Sequence, residues 1–387
     1  MSERLPRLGG WTPRIGWALL WIFLLTTPLW LQQFWEQTLL FAMASVIGAI
    51  GLTLLVGTTG QLSLAHAFYA AVGAYGYCYF AGHKTPGVES VAGLALPPLL
   101  AVVLAVLLAG VCGALFSPIS GRLRGIYLGI ASIGLVFIGQ HILFNATKLT
   151  GGFNGRDAEP FSAGGFQFTD GHPDLVIAGV PFGTLEKLWY LGLLLVALSY
   201  WYARNVVRSR PGRALEAVRD REVAAAVMGV NVTRYKAAAF TLSSMYAGLA
   251  GVLMALVFGR IVPDTFGFSL SVDFLVMIVI GGLGSIPGAA VGAIFVSMMP
   301  RVLDHYSDSL PLVAQAGSGG LQPSQAARLL YGLAIILVLL YARGGLAALG
   351  ERLRPRRPSS PDPAVQRPPT IADAARPTSP ELKETST

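Results

Sequence analysis

Three stretches of the chain, Ile15–Leu31, Gln37–Leu64 and Val91–Gly121, contain no Lys, Arg, Asp or Glu. Runs of that length suit a bilayer core, which about 20 apolar helical residues cross, and where the backbone must satisfy its own hydrogen bonds. Charged residues make up 12% of the 387 residues, against about 25% in soluble domains, and the mean hydropathy is +0.60. A soluble enzyme, a nucleic-acid-binding domain and a disulfide scaffold all fit poorly. The fold class is therefore an all-α polytopic membrane protein.

Apolar runs of spanning length predict about ten transmembrane or re-entrant helices, near 15–33, 38–57, 61–82, 91–117, 125–146, 187–203, 237–259, 270–283, 286–303 and 326–342. The third opens with Gly60-Gln61-Leu62-Ser63-Leu64-Ala65-His66, too polar for a lipid-facing helix, so it reads as broken or re-entrant. The first follows Arg4, Arg7 and Arg14 without a small-residue cleavage pattern and is expected to remain as an anchor. Cys78 and Cys112 each lie inside an apolar run and read as free thiols.

Cytoplasmic loops collect Lys and Arg. With the N-terminus inside, segments 1–14, 118–124, 204–236 and 343–387 hold 3, 2, 8 and 8 of them, which is 21 of the 28. The net charge of +8 thus describes membrane orientation rather than nucleic-acid binding, and both termini are expected in the cytoplasm. The expected organisation is a transmembrane domain over 1–345, with an extracytoplasmic loop at 147–186 and a basic cytoplasmic loop at 204–236. A Pro-rich tail at 355–387 is too polar to bury a core.

No lysine follows a glycine, so the chain lacks the phosphate-binding Gly-Lys loop of ATPases. Titratable groups within the spans are few. Asp273 reads as a charge at a helix N-terminus, and His141 as interfacial. His66, close to Gln61 and Ser63, is either a pathway residue or a buried histidine bonded to a neighbouring helix. The five dispersed histidines suggest no metal site.

The strongest local feature is Pro211–Gly229, where Pro suits a helix start and Gly a helix end. One helix is expected there, with Leu215, Val218 and Ala225 on one face and Arg219, Asp220 and Glu222 projecting elsewhere. Its alternating charges suit a protein partner, whereas a helix lying on anionic lipid headgroups is the competing reading.

The run Glu222-Val-Ala-Ala-Ala-Val-Met-Gly229 resembles the loop by which permease subunits of ABC importers dock on their ATPases. Several further stretches are similar to the branched-chain amino acid permeases of the high-affinity Liv type. They are Gly60-Gln-Leu-Ser-Leu-Ala-His-Ala-Phe68, Leu123-Arg-Gly-Ile-Tyr127, Thr150-Gly-Gly-Phe-Asn-Gly155, the block from Arg208 to Lys236, and Val279-Ile-Gly-Gly-Leu-Gly-Ser285. These stretches lie in order over roughly residues 40–345 and resemble the second, longer permease of the pair. The chain departs from the family at Ala65, where glycine is usual, and at Asp273, where Glu is frequent. It departs again at Ala342-Arg343-Gly344-Gly345-Leu346, in place of a Pro-Arg-Gly-Leu ending.

The resemblance implies a non-catalytic subunit of the many-helix, vitamin-importer-like type in the bacterial inner membrane. It would work with a related permease, two cytoplasmic ATPases that use ATP and magnesium, and an extracytoplasmic solute-binding protein. It implies no cofactor in this chain and a cargo of leucine, isoleucine or valine; related permeases carry urea, short amides or other small solutes. On this footing Arg219, Asp220, Glu222, Ala224, Ala225 and Gly229 are expected to couple to the ATPases. Gln61, Ser63 and His66 are expected along the pathway, and Gly281, Gly282 and Gly284 at a packing hinge. An ion-coupled secondary transporter is the reading from a different class.

Overall fold

The computed structural model describes residues 21–84, 91–123, 125–170, 176–177, 180–306, 322–341 and 345–346. The tail at 355–387 and the arginines at 4, 7 and 14 lie outside the described residues. The rest is mostly helical: α1 Gln33–Thr59, α2 His66–Ala81, α3 Pro98–Arg122, α4 Ile126–Asn145, α5 Thr184–Arg208, α6 Arg210–Asp220, α7 Glu222–Val227, α8 Val232–Phe258, α9 Phe268–Gly281, α10 Ile286–His305 and α11 Pro323–Tyr341. Among the described residues α1, α3, α4, α8 and α10 are long and apolar enough to cross a membrane, and α9 and Gln325–Val338 are shorter apolar helices. The protein is a multi-pass membrane protein.

Two helices make the centre. α1 and α8 are mostly buried and carry apolar residues all round, as helices surrounded by other helices do. α8 packs on α1, α2 and α3, and α1 packs on α5 and α10. α3 and α4 bury only one face each, leaving Leu115, Ile126, Ile130 and Phe137 among the exposed apolar side chains.

The closest crossing is between α2 and α8. A Cβ on Gly73 would overlap the Gly248 carbonyl, so the two backbones touch where small residues meet, the packing mode that lipid favours.

At one end of the bundle, residues 147–170, 176–177 and 180–183 form a cap of short turns and two-residue strands. Arg156-Asp157 pairs antiparallel with Arg260-Ile261, and Tyr77 Oη donates to Glu159 O at 2.7 Å. Arg156 is buried and donates to Leu149 O at 2.8 Å, and its desolvation lowers the guanidinium pKa from the ordinary value. The opposite end carries α6, α7, the C-terminus of α1 and the turn between α9 and α10.

Two expectations are corrected here. Residues 211–229 do not form one helix: Arg221 is extended, with φ −150° and ψ 96°, and separates α6 from α7. Asp273 lies beyond the first turn of α9, so it is not a charge at that helix's N-terminus.

Replacing Gly73 by Leu should remove most of the monodisperse, detergent-extractable protein, because α2 and α8 cannot both keep their paths. Fluorescence size-exclusion chromatography of the membrane extract measures it.

Candidate functional site: a broken helix and a docking hairpin

The chain leaves α1 at Gly60, whose φ of 69° is left-handed and ends the helix; its N–H donates to Val56 O. The next five residues are not helical. α2 then runs for 16 residues, about 24 Å at 1.5 Å per residue, which is short of a ~30 Å core. The expected broken third span is therefore a non-helical entry followed by a short helix.

Non-helical backbone inside a membrane persists only where protein satisfies it. Four hydroxyls do so here. Gln61 N donates to Thr59 Oγ1 at 3.3 Å, and Leu64 N to Ser132 Oγ of α4 at 2.8 Å. Ala65 N donates to Ser63 Oγ at 3.3 Å, and Ala67 N to Ser271 Oγ of α9 at 3.0 Å. The Gln61 side chain donates to Ser120 O at the end of α3, at 3.3 Å. Gln61, Ser63 and His66 are all buried.

His66 opens α2 with its ring 1% exposed and edge-on to Phe274. Ser243 Oγ gives its proton to Gly51 O at 2.8 Å and therefore accepts from His66 Nε2 at 3.3 Å. That puts a proton on Nε2, and Nδ1 is buried without a hydrogen-bond partner among the described residues. His66 thus bonds Ser243 of the neighbouring helix α8.

Ser209 caps α6, its Oγ accepting from Gly212 N, and Asn231 caps α8, its Oδ1 accepting from Arg234 N at 3.1 Å. Leu215 and Val218 face inward, and Leu215 joins a cluster containing Leu55, Ala65, Tyr69 and Phe240. α7 ends on Gly229, whose φ of 86° excludes a side chain by strain rather than by space. Val230 N bonds Ala225 O and Gly229 N bonds Ala226 O, each at 3.0 Å, which is the Schellman closure of a helix C-terminus.

The charges expected to face a partner are partly used inside the chain. Glu222 Oε1 pairs with Lys236 Nζ of α8 at 2.6 Å, and that lysine side chain is 7% exposed. Arg219 Nη1 donates to Gly57 O at 2.7 Å, and its Nε bonds Asp220 Oδ1 at 3.2 Å. Ala225 is buried while Ala224 is exposed. The most outward side chains are instead Val223, Val227 and Met228, at 75%, 84% and 85% exposure. They are apolar residues on a charged loop, and that mismatch was the signal available in the sequence.

The glycines at the end of α9 and just after it bring backbone segments close together. A Cβ on Gly281 would overlap Gly288 O, and one on Gly57 would stand 2.5 Å from Gly284 Cα. Gly282 and Gly284 both have positive φ, and Ser285 Oγ accepts from Gly288 N to start α10. The Gly57–Gly284 contact joins this turn to the end of α1, one hydrogen bond from Arg219 and four residues from Gln61.

Among known families, the branched-chain amino acid transport system permease component matches residues 34–339. The chain is 34% identical over 253 residues to the high-affinity branched-chain amino acid transport system permease protein LivM of Salmonella typhimurium, covering 63% of this chain and 57% of that one. It is 31% identical over 276 residues to LivM of Escherichia coli, covering 69% and 63%. To LivH of Escherichia coli it is 28% identical over 283 residues, covering 71% and 86%. The match thus spans less than two thirds of the LivM relatives' own length. No solved structure matches.

Ser243→Ala leaves the His66 Nε2–H without its acceptor in a dry interior, at a cost of about 1–3 kcal/mol. A lower melting temperature of the purified protein, with membrane insertion retained, is the expected result in a thermal unfolding assay.

Proposed function

This chain belongs to the family of branched-chain amino acid transport system permease components, and we propose that it forms half of the translocation pathway of an ATP-binding-cassette importer. The cargo is leucine, isoleucine or valine, handed over by a solute-binding protein outside. The other half of the pathway is a related permease, in keeping with the similarity to both LivM and LivH, and the higher identity to LivM supports a LivM-type role. The architecture is the ten-helix, vitamin-importer-like type in the bacterial inner membrane. Both termini and the 204–236 loop face the cytoplasm, 147–186 faces outward, and 355–387 is a cytoplasmic extension.

The observation that carries this reading is the shape of the α6–α7 hairpin. Its acid is paired within the chain, its inner face is seated on the bundle, and Val223, Val227 and Met228 project uncovered among the described residues. A short rigid helix with an apolar tip suits a cleft on a protein, since aliphatic anchors surrounded by polar groups supply most of the binding energy at such contacts. ATP and magnesium belong to the ATPases docked there, and their closure moves the permease as packed helices. The chain itself catalyses no reaction.

Two measurements test this. Val227→Asp combined with Met228→Asp should abolish co-purification of the ATPase subunits while the permease still inserts. In proteoliposomes, uptake should need the ATPases, ATP and the binding protein, and should persist with an uncoupler. Uptake by the chain alone, abolished by an uncoupler, would identify an ion-coupled carrier instead. Thermal shifts of the cognate binding protein separate branched-chain amino acids from urea or short amides.

A further inference from the structure

The docking hairpin touches the bundle in three ways: Leu215 and Val218 pack inward, Glu222 pairs with Lys236, and Arg219 reaches the end of α1. The first two hold the hairpin to its surroundings. The third is different in kind. Gly57 O lies in the last turn of α1, where carbonyls lack helical partners and carry the negative end of the helix dipole. Arg219 Nη1 donates to it at 2.7 Å, and Arg219 Cγ lies where a Cβ on Gly60 would come within 3.3 Å. The arginine therefore covers the left-handed residue at which α1 stops and the broken segment begins.

What lies behind that carbonyl is the joint between the α9–α10 turn and the broken segment. Gly57 packs against Gly284 in the α9–α10 turn, with no side chain between the backbones. Thr59 and Gln61 carry the chain from α1 into the broken segment, and Gln61 ties that segment to the end of α3 through Ser120 O. Leu215 of the same hairpin shares a cluster with Ala65, the last residue before α2. One polar contact and one apolar contact thus link the hairpin to both ends of the break.

We propose that Arg219 is a positioning residue that transmits hairpin movement to the break between α1 and α2, rather than an anchor for the ATPase. This rests on the docking role assigned above to the hairpin. Displacing α7 moves the last turn of α6, because only Arg221 separates them. The guanidinium then pulls or releases the Gly57 carbonyl, and the Gly284 turn and the Gln61 segment shift with it. The planar, permanently charged guanidinium suits this part, since it holds a carbonyl and the Asp220 carboxylate at once.

The test uses the assembled transporter in liposomes, with its ATPases, partner permease and binding protein. Arg219→Ala should still co-purify with the ATPases and support ATP hydrolysis, while solute taken up per ATP falls roughly tenfold or more, the size of one lost charge-assisted hydrogen bond. Arg219→Lys, which still donates to Gly57 O, should recover part of that ratio. Gly60→Ala crowds Arg219 and should lower the ratio alone, yet add little in the Arg219→Ala background. An unchanged ratio in Arg219→Ala overturns the proposal, as does loss of the ATPases from that variant. If Arg219→Ala does not accumulate, an unchanged ratio in Gly60→Ala overturns it. Retention of the ATPases by the Val227→Asp, Met228→Asp protein would instead overturn the docking role itself.

Discussion

Lipid offers no hydrogen bonds, so any backbone that leaves the helix inside a membrane must be met by the protein, at a cost of several kcal/mol for each group left unmet. The segment after Gly60 is where this chain accepts that constraint. Thr59, Ser63 and Ser132 each accept one of its N–H groups, Ser271 accepts from Ala67 N in the first turn of α2, and Gln61 reaches the last turn of α3. These bonds bring α3, α4 and α9 to the start of α2. Were the segment helical, α1 and α2 would have no common joint to act on.

The same rule shapes the end of α1. Its last carbonyls face a loop rather than another turn of helix, and a cation from the α6–α7 hairpin takes one of them. Glu222 is likewise held by Lys236. With both charges engaged internally, the exposed side chains at this end of the loop include the apolar Val223, Val227 and Met228. At the opposite end, the cap is tied down by strand pairing to the start of the α8–α9 connection and by Arg156 on Leu149 O. Both ends are built from long-range polar contacts, and the bundle between them is held by close glycine and alanine packing.

The family match runs from the first turn of α1 into α11 and so takes in the break, the hairpin and the α9–α10 turn together. These are also the places where the sequence departs from simple apolar periodicity: Gln61 and Ser63 within a span, a charged helix with a Val-Met tip, and Gly-Gly-Leu-Gly between two spans. Polar or flexible residues at such positions cost stability unless a specific partner is present, which is why they carried the resemblance that bare hydropathy did not.

The amino-acid sequence alone pointed to a polytopic helical membrane protein, to the break near Gln61 and to helical structure ending at Gly229. Each rests on a local criterion: apolar length against bilayer thickness, polarity where lipid forbids it, and Pro or Gly where a helix starts or stops. It placed one helix over 211–229, because the periodicity through Arg221 is unbroken and only the tertiary seat of Leu215 and Val218 turns the chain there. The tertiary structure alone decided that Arg219 and Glu222 face inward contacts while Val223, Val227 and Met228 face out. It also decided that His66 holds Ser243 through its Nε2 proton. Apart from the Glu222–Lys236 pair, the contacts behind them reach partners such as Gly57 and Ser243, which lie 162 and 177 residues away along the chain. Hydrogen bonding over such separations is set by how the helices pack, and no window of the sequence contains it.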